Sequence, residues 1–131
     1  MAVYKNKWFA KFANKEHISD IRLCEVVKEI INGKIDADYG GGLVKQRIAR
    51  EDAGKSGGYR AIILYRRSER VFFVYGFAKN RQENISQVEE RAFKDLAEIL
   101  FSRSVADLKI MLETGMLLEV SCDEQTSVVS E

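Results

Sequence analysis

Two runs, Tyr59 to Arg66 and Val71 to Ala78, constrain this chain more than any other feature of it. Both are rich in β-branched and aromatic residues, and only Arg67-Ser68-Glu69-Arg70 separates them, which reads as a hairpin. Neither run alternates. Strands that are apolar on both faces belong in the middle of a sheet covered on both sides, so the rest of the chain has to supply the cover.

The cover is readable. Ser19 is placed to cap a helix, and Leu23, Val26, Val27, Ile30 and Ile31 follow at i, i+3, i+4, i+7 and i+8, with Gly33 as a stop. Ser86 and Glu89 form an S-x-x-E capping box, and Val88, Ala92, Phe93, Leu96, Ala97 and Leu100 continue with helical spacing. Ser104 and Asp107 repeat the signature before Leu108, Met111 and Leu112. Gly115 ends that helix, and Met116 to Val120 reads as a short extra strand. Val3 to Phe12 reads as a first strand. Leu43 to Arg50 alternates, with Val44 and Ile48 on one face and Lys45 and Arg47 on the other. The predicted order is β-α-β-β-β-α-α, an α+β domain. The expected division is one domain over residues 1–120 and a polar tail over 121–131.

The net charge of +1 hides its distribution. Residues 43–81 hold ten Lys/Arg against three Asp/Glu, whereas residues 82–131 hold four against eleven. A basic centre followed by an acidic tail points to one electropositive surface for a polyanion. Other classes are disfavoured. No apolar run reaches the roughly 20 residues of a membrane span, and no secretory leader is visible, so a cytoplasmic protein without membrane contact is expected. The two cysteines, Cys24 and Cys122, are expected as free thiols. No Cys/His cluster offers a zinc site and no carboxylate cluster a magnesium site, so neither metal nor small-molecule cofactor is expected. His17, the only histidine, lies far from the basic centre and reads as a surface residue. Ala49 to Ser56 loosely fits a phosphate-binding loop, but a β-rich run follows it where that motif needs a helix. The segment is better read as a basic hairpin loop carrying Arg50 and Lys55.

The candidate chemistry therefore rests on cations. Lys45 and Arg47 share a strand face, Arg60 begins the next strand, and Lys79 with Asn80 and Arg81 follows the one after. Arginine suits bidentate phosphate contacts, and lysine acts as a point charge or a base. Tyr59, Tyr65, Phe73, Tyr75 and Phe77 interleave with them; most of these read as core, and Tyr65 and Tyr75 are the candidates for stacking on unpaired bases.

The stretches G-G-G-L-V-K-Q-R-I-A-R, G-K-S-G-G-Y-R-A-I-I-L-Y and F-F-V-Y-G-F-A-K-N resemble the RelE/HigB superfamily of toxins from toxin–antitoxin systems. The resemblance implies a twisted, mainly antiparallel sheet flanked by helices. It also implies a metal-independent endoribonuclease that cuts messenger RNA on the ribosome, and a cognate antitoxin as partner. Carried over residue by residue, it assigns catalysis to Lys45, Arg47, Arg60 and Lys79, with Arg47 and Arg60 on the scissile phosphate and Lys45 as base or phosphate clamp. RNA binding falls to Arg50, Lys55, Tyr65, Tyr75, Asn80 and Arg81. Alanine at Lys45, Arg47 or Arg60 is expected to cost little stability, as at exposed sites. The catalytic histidines of some HigB members and the C-terminal tyrosine of others have no counterpart. A non-catalytic RNA- or antitoxin-binding protein on the same fold is the alternative.

Overall fold

The computed structural model describes residues 1–49, 58–67 and 69–122. Its elements are β1 (Ala2–Asn6), α1 (Lys7–Lys15), α2 (Asp20–Ile31), β2 (Ala37–Gly40), β3 (Leu43–Ile48), β4 (Tyr59–Arg66), β5 (Arg70–Ala78), α3 (Gln87–Phe101), α4 (Val105–Glu113) and β6 (Leu117–Glu119). The strands form a six-stranded sheet in the order β2-β3-β4-β5-β1-β6. All pairs are antiparallel except β1 with β5. The fold is α+β and consistent with a RelE-like toxin, as anticipated.

The hairpin β4–β5 lies at the centre of the sheet, and both its faces are covered. Ala61, Ile63, Val71 and Phe73 pack with Phe9 and Ala13 of α1 and with Leu23, Val27 and Ile30 of α2. Ile62, Leu64, Phe72 and Val74 pack on the opposite side with Ala97, Leu100 and Phe101 of α3 and Leu108 of α4. A register shift between Ile62 and Ile63 lets both layers fill. The caps fall where the sequence placed them. The Ser19, Ser86 and Ser104 hydroxyls accept from the backbone N–H of Arg22, Glu89 and Asp107, and the Glu89 carboxylate accepts from the Ser86 N–H.

Three expectations need correction. The first strand stops at Asn6, whose side chain accepts from the Phe9 N–H and starts α1. Phe9 and Ala13, one turn apart, are the buried residues of that helix. The aromatic composition had suggested a strand through Phe12, but the cap and the four-residue spacing prevail. Ala37–Gly40 is a further strand, β2, pairing with β3. The cysteines are not free thiols: Cys24 and Cys122 form a disulfide, with Cα atoms 5.5 Å apart across a sequence separation of 98. Val120 donates its N–H to the Val3 carbonyl, and this brings the chain after β6 back beside α2. No helix among the described residues is long and apolar enough to cross a membrane.

Candidate nucleic-acid interface

The strand register assembles the cations. In β3, Leu43, Lys45 and Arg47 pair with Leu64, Ile62 and Arg60 of β4, and Arg60 pairs in turn with Phe77 of β5. Leu43, Ile62, Leu64 and Phe77 all belong to the layer under α3 and α4, so Lys45, Arg47 and Arg60 share that face. They lie toward the end of β3 and β4 where Ile48 pairs with Tyr59. Lys79 and Asn80, exposed, follow Ala78 at the same end, because Tyr59 pairs with Ala78.

Arg47 is exposed and stands directly across from Arg60. Like charges in that position oppose folding, so a purely structural sheet would not choose them. Asp36 relieves the conflict. Its carboxylate lies 3.4 Å from Nε of Arg60, and Nη1 of Arg60 donates to the Tyr59 carbonyl. Arg60 is thereby only 8% exposed. This corrects the expectation that its replacement is nearly neutral. Arg60→Ala should lower stability by about 1–2 kcal/mol, since a charge-assisted hydrogen bond and packing are lost while Asp36 keeps contact with water. Asp36→Ala should cost more, about 2–3 kcal/mol, because it strands a buried guanidinium. Paired thermal melts should rank the two in that order.

Lys45 is half-buried, with Nζ 3.5 Å from the Glu83 carbonyl. Next to it the Tyr39 hydroxyl donates to Oδ1 of Asn84, tying β2 to the turn before α3. Burial, then the neighbouring Glu90 and Asp36, raise the Tyr39 pKa. Burial and Glu89 do the same for Tyr75. Both phenols stay neutral at physiological pH and add no negative charge to this face.

The aromatic candidates divide. Tyr75 pairs with Ile62 and lies on the basic face, in ring contact with Phe77, Phe93 and Trp8. Tyr65 packs on the α1/α2 side. It therefore points away from Arg47 and Arg60, and the structure does not bring it into this site. Arg50 and Lys55 lie outside the described residues. Arg81 and Asn80 border a cleft of about 520 Å³ against α1, together with Lys11 and Lys15. The sequence reading missed those two lysines, along with Asp36 and Tyr39. The four-residue lysine spacing in α1 was the signal for the first two; nothing local marks the others. His17 sits in the α1–α2 connection with φ 58°. Among the described residues no group of three or more His, Cys, Asp or Glu side chains is placed to hold a metal ion.

Compared with known proteins, the chain finds no match among curated sequences. The family model described as RelE toxin of the RelE/RelB toxin–antitoxin system matches residues 1–120. With a basic strand face on an α+β sheet and a match spanning nearly its whole length, the chain belongs to the RelE toxin family, the toxins of toxin–antitoxin systems, whose partner is a cognate antitoxin.

Proposed function

We propose that this toxin is a ribosome-dependent endoribonuclease that inhibits translation by cutting messenger RNA without a metal ion. The observation that carries this reading is the exposed Arg47 facing Arg60 across β3 and β4, a like-charge pair that an anion would stabilise. RNA brings its own nucleophile, the 2′-hydroxyl next to the scissile phosphate. The protein has to align that oxygen in line with the departing 5′-oxygen and neutralise charge on the phosphoryl oxygens. Arg47 contacts those oxygens, and Arg60, held by Asp36, supplies a fixed positive field behind it. Lys45 accepts the 2′-hydroxyl proton or clamps the phosphate. Lys79, Asn80 and Arg81 hold the flanking strand, and Tyr75 offers a stacking surface. The P–O2′ bond forms as the P–O5′ bond breaks, and the departing 5′-oxygen takes a proton from solvent to balance the one lost by the 2′-hydroxyl, so the products are a 2′,3′-cyclic phosphate and a 5′-hydroxyl with no water consumed. The work is done in the cytoplasm, where messages are translated.

A second reading, a binding protein that cuts nothing, draws on the burial of Arg60 against Asp36, which engages one of the two arginines. Cleavage on programmed ribosomes, with polyamines preserving the particles and EDTA in excess, separates the two. We expect cut message with cyclic-phosphate ends. A 3′-hydroxyl product, or strict dependence on added metal, sinks the mechanism. Intact message alongside tight binding favours the second reading. Ribosome affinity should also fall steeply with salt. With Lys45, Arg47, Lys79 and Arg81 all on phosphates, log K against log salt should slope at about −3, from roughly −0.7 per contact on a single strand. A flat response in a pelleting assay would rule out a phosphate-reading surface.

A further inference from the structure

Among the described residues no strand pairs with the outer side of β5 beyond Phe73, because β1 pairs only with Arg70 to Phe73. The cleft of about 520 Å³ runs along this open edge, between α1 and the turn after β5. Its position depends on Gly76. A Cβ there would lie 2.5 Å from the Phe12 ring, so only glycine lets Phe12 close on the strand. Trp8 stacks on Phe12, with ring centroids 5.4 Å apart, and meets Tyr75 at 4.6 Å. It nevertheless remains 45% exposed. A large aromatic fixed on two rings, yet open to solvent, is a platform for another flat group.

The rim is basic. Lys11, Lys15 and Arg81 border the cleft, and the one carboxylate among its described lining residues, Glu16, accepts a hydrogen bond from the Tyr59 hydroxyl at 2.7 Å. Helix α1 bears this charge against its own interest. Lys7, Lys11 and Lys15 repeat every four residues along one face and all are exposed. Like charges at that spacing weaken a helix. Lys7 also stands first in a helix with no acidic residue in its first turn, where the dipole disfavours a cation. Among the described residues none of these three ammonium groups has a carboxylate partner. Lys15, in the last turn, gains from the dipole; for Lys7 and Lys11 stability does not account for the pattern, and a bound polyanion would.

We infer that this cleft is a second, non-cleaving subsite for single-stranded RNA, in which a base stacks on Trp8 while its phosphates lie against Lys11, Lys15 and Arg81. The inference rests on the endoribonuclease reading. Through Asn80 and Arg81 the subsite joins the turn that follows Lys79, so one strand passes from the basic sheet face around the open edge into the cleft. It holds the message away from the cut and sets its direction across the sheet.

Trp8 is the only tryptophan, so its emission reports this cleft alone. The probe is a short 2′-O-methyl oligoadenylate, which supplies bases and phosphates but no nucleophile. Saturable quenching is expected with the wild-type chain and with Arg47→Ala. The double variant Lys11→Glu/Lys15→Glu, melting as the wild type does, should bind roughly ten-fold more weakly at low salt. By anisotropy of a labelled oligonucleotide, Trp8→Ala should bind at least five-fold more weakly, roughly the loss of one stacked base. Absence of quenching, or quenching untouched by the lysine substitutions, overturns the subsite. So does an emission change caused by the antitoxin and not by the oligonucleotide, which would make the cleft a protein-docking site. Failure of the endoribonuclease reading looks different: message stays uncut on ribosomes and Arg47→Ala changes nothing there, whatever Trp8 reports.

Discussion

Replacing Arg47 by alanine should abolish growth arrest and reduce message cleavage on the ribosome by a factor of about 10²–10³, the usual consequence of removing one donor from a developing anionic centre. Stability should move the other way. Arg47 is exposed and opposes Arg60 across the strands, and among the described residues it has no carboxylate partner. Its removal relieves repulsion, so the melting temperature should stay level or rise, by no more than about 0.5 kcal/mol in stability. Loss of activity together with unchanged or improved stability is the signature of a residue kept for its chemistry. Toxicity in growing cells and thermal melting of the purified variant should be measured on the same preparation. Full toxicity, or a collapse in stability that explains the lost activity, would remove Arg47 from the site.

The second large effect concerns the Cys24–Cys122 bridge. It closes a loop with a sequence separation of 98, and restricting the unfolded chain over such a span stabilises the fold by about 4 kcal/mol. Cys122→Ala should therefore lower the melting temperature by roughly 10–20 °C. Reductant should bring the wild type down to the same value and leave the variant unmoved. Neither cysteine lies on the basic face, so cleavage well below the melt should be unaffected. Equal melting of the wild type with and without reductant would show that the bridge contributes nothing.

What could be read from the sequence divides along the range of the forces involved. The hairpin, the serine caps of α2, α3 and α4, and the shared face of Lys45 and Arg47 depend on neighbours within a few residues, and all were legible. Helix α1 was not. Trp8, Phe9 and Phe12 favour a strand by composition, and only the Asn6 cap and the Phe9–Ala13 spacing argue otherwise. Tyr65 could have been excluded by counting. It is five residues after Arg60 along β4, so it falls on the opposite face. The burial of Arg60 had no local sign, because its partner Asp36 is distant in sequence, just ahead of β2. The disulfide was hidden for the same reason, since it depends on where β6 returns the chain.

The sheet order has one more implication. The first strand sits between β5 and β6, with Tyr4 opposite Glu119. During synthesis β1 must wait for β5 before it has a neighbour, and for β6 before it has two. Long-range closure of this kind is slow compared with local pairing. It makes β1 the last strand to be paired on both edges, after the local β4–β5 hairpin has formed.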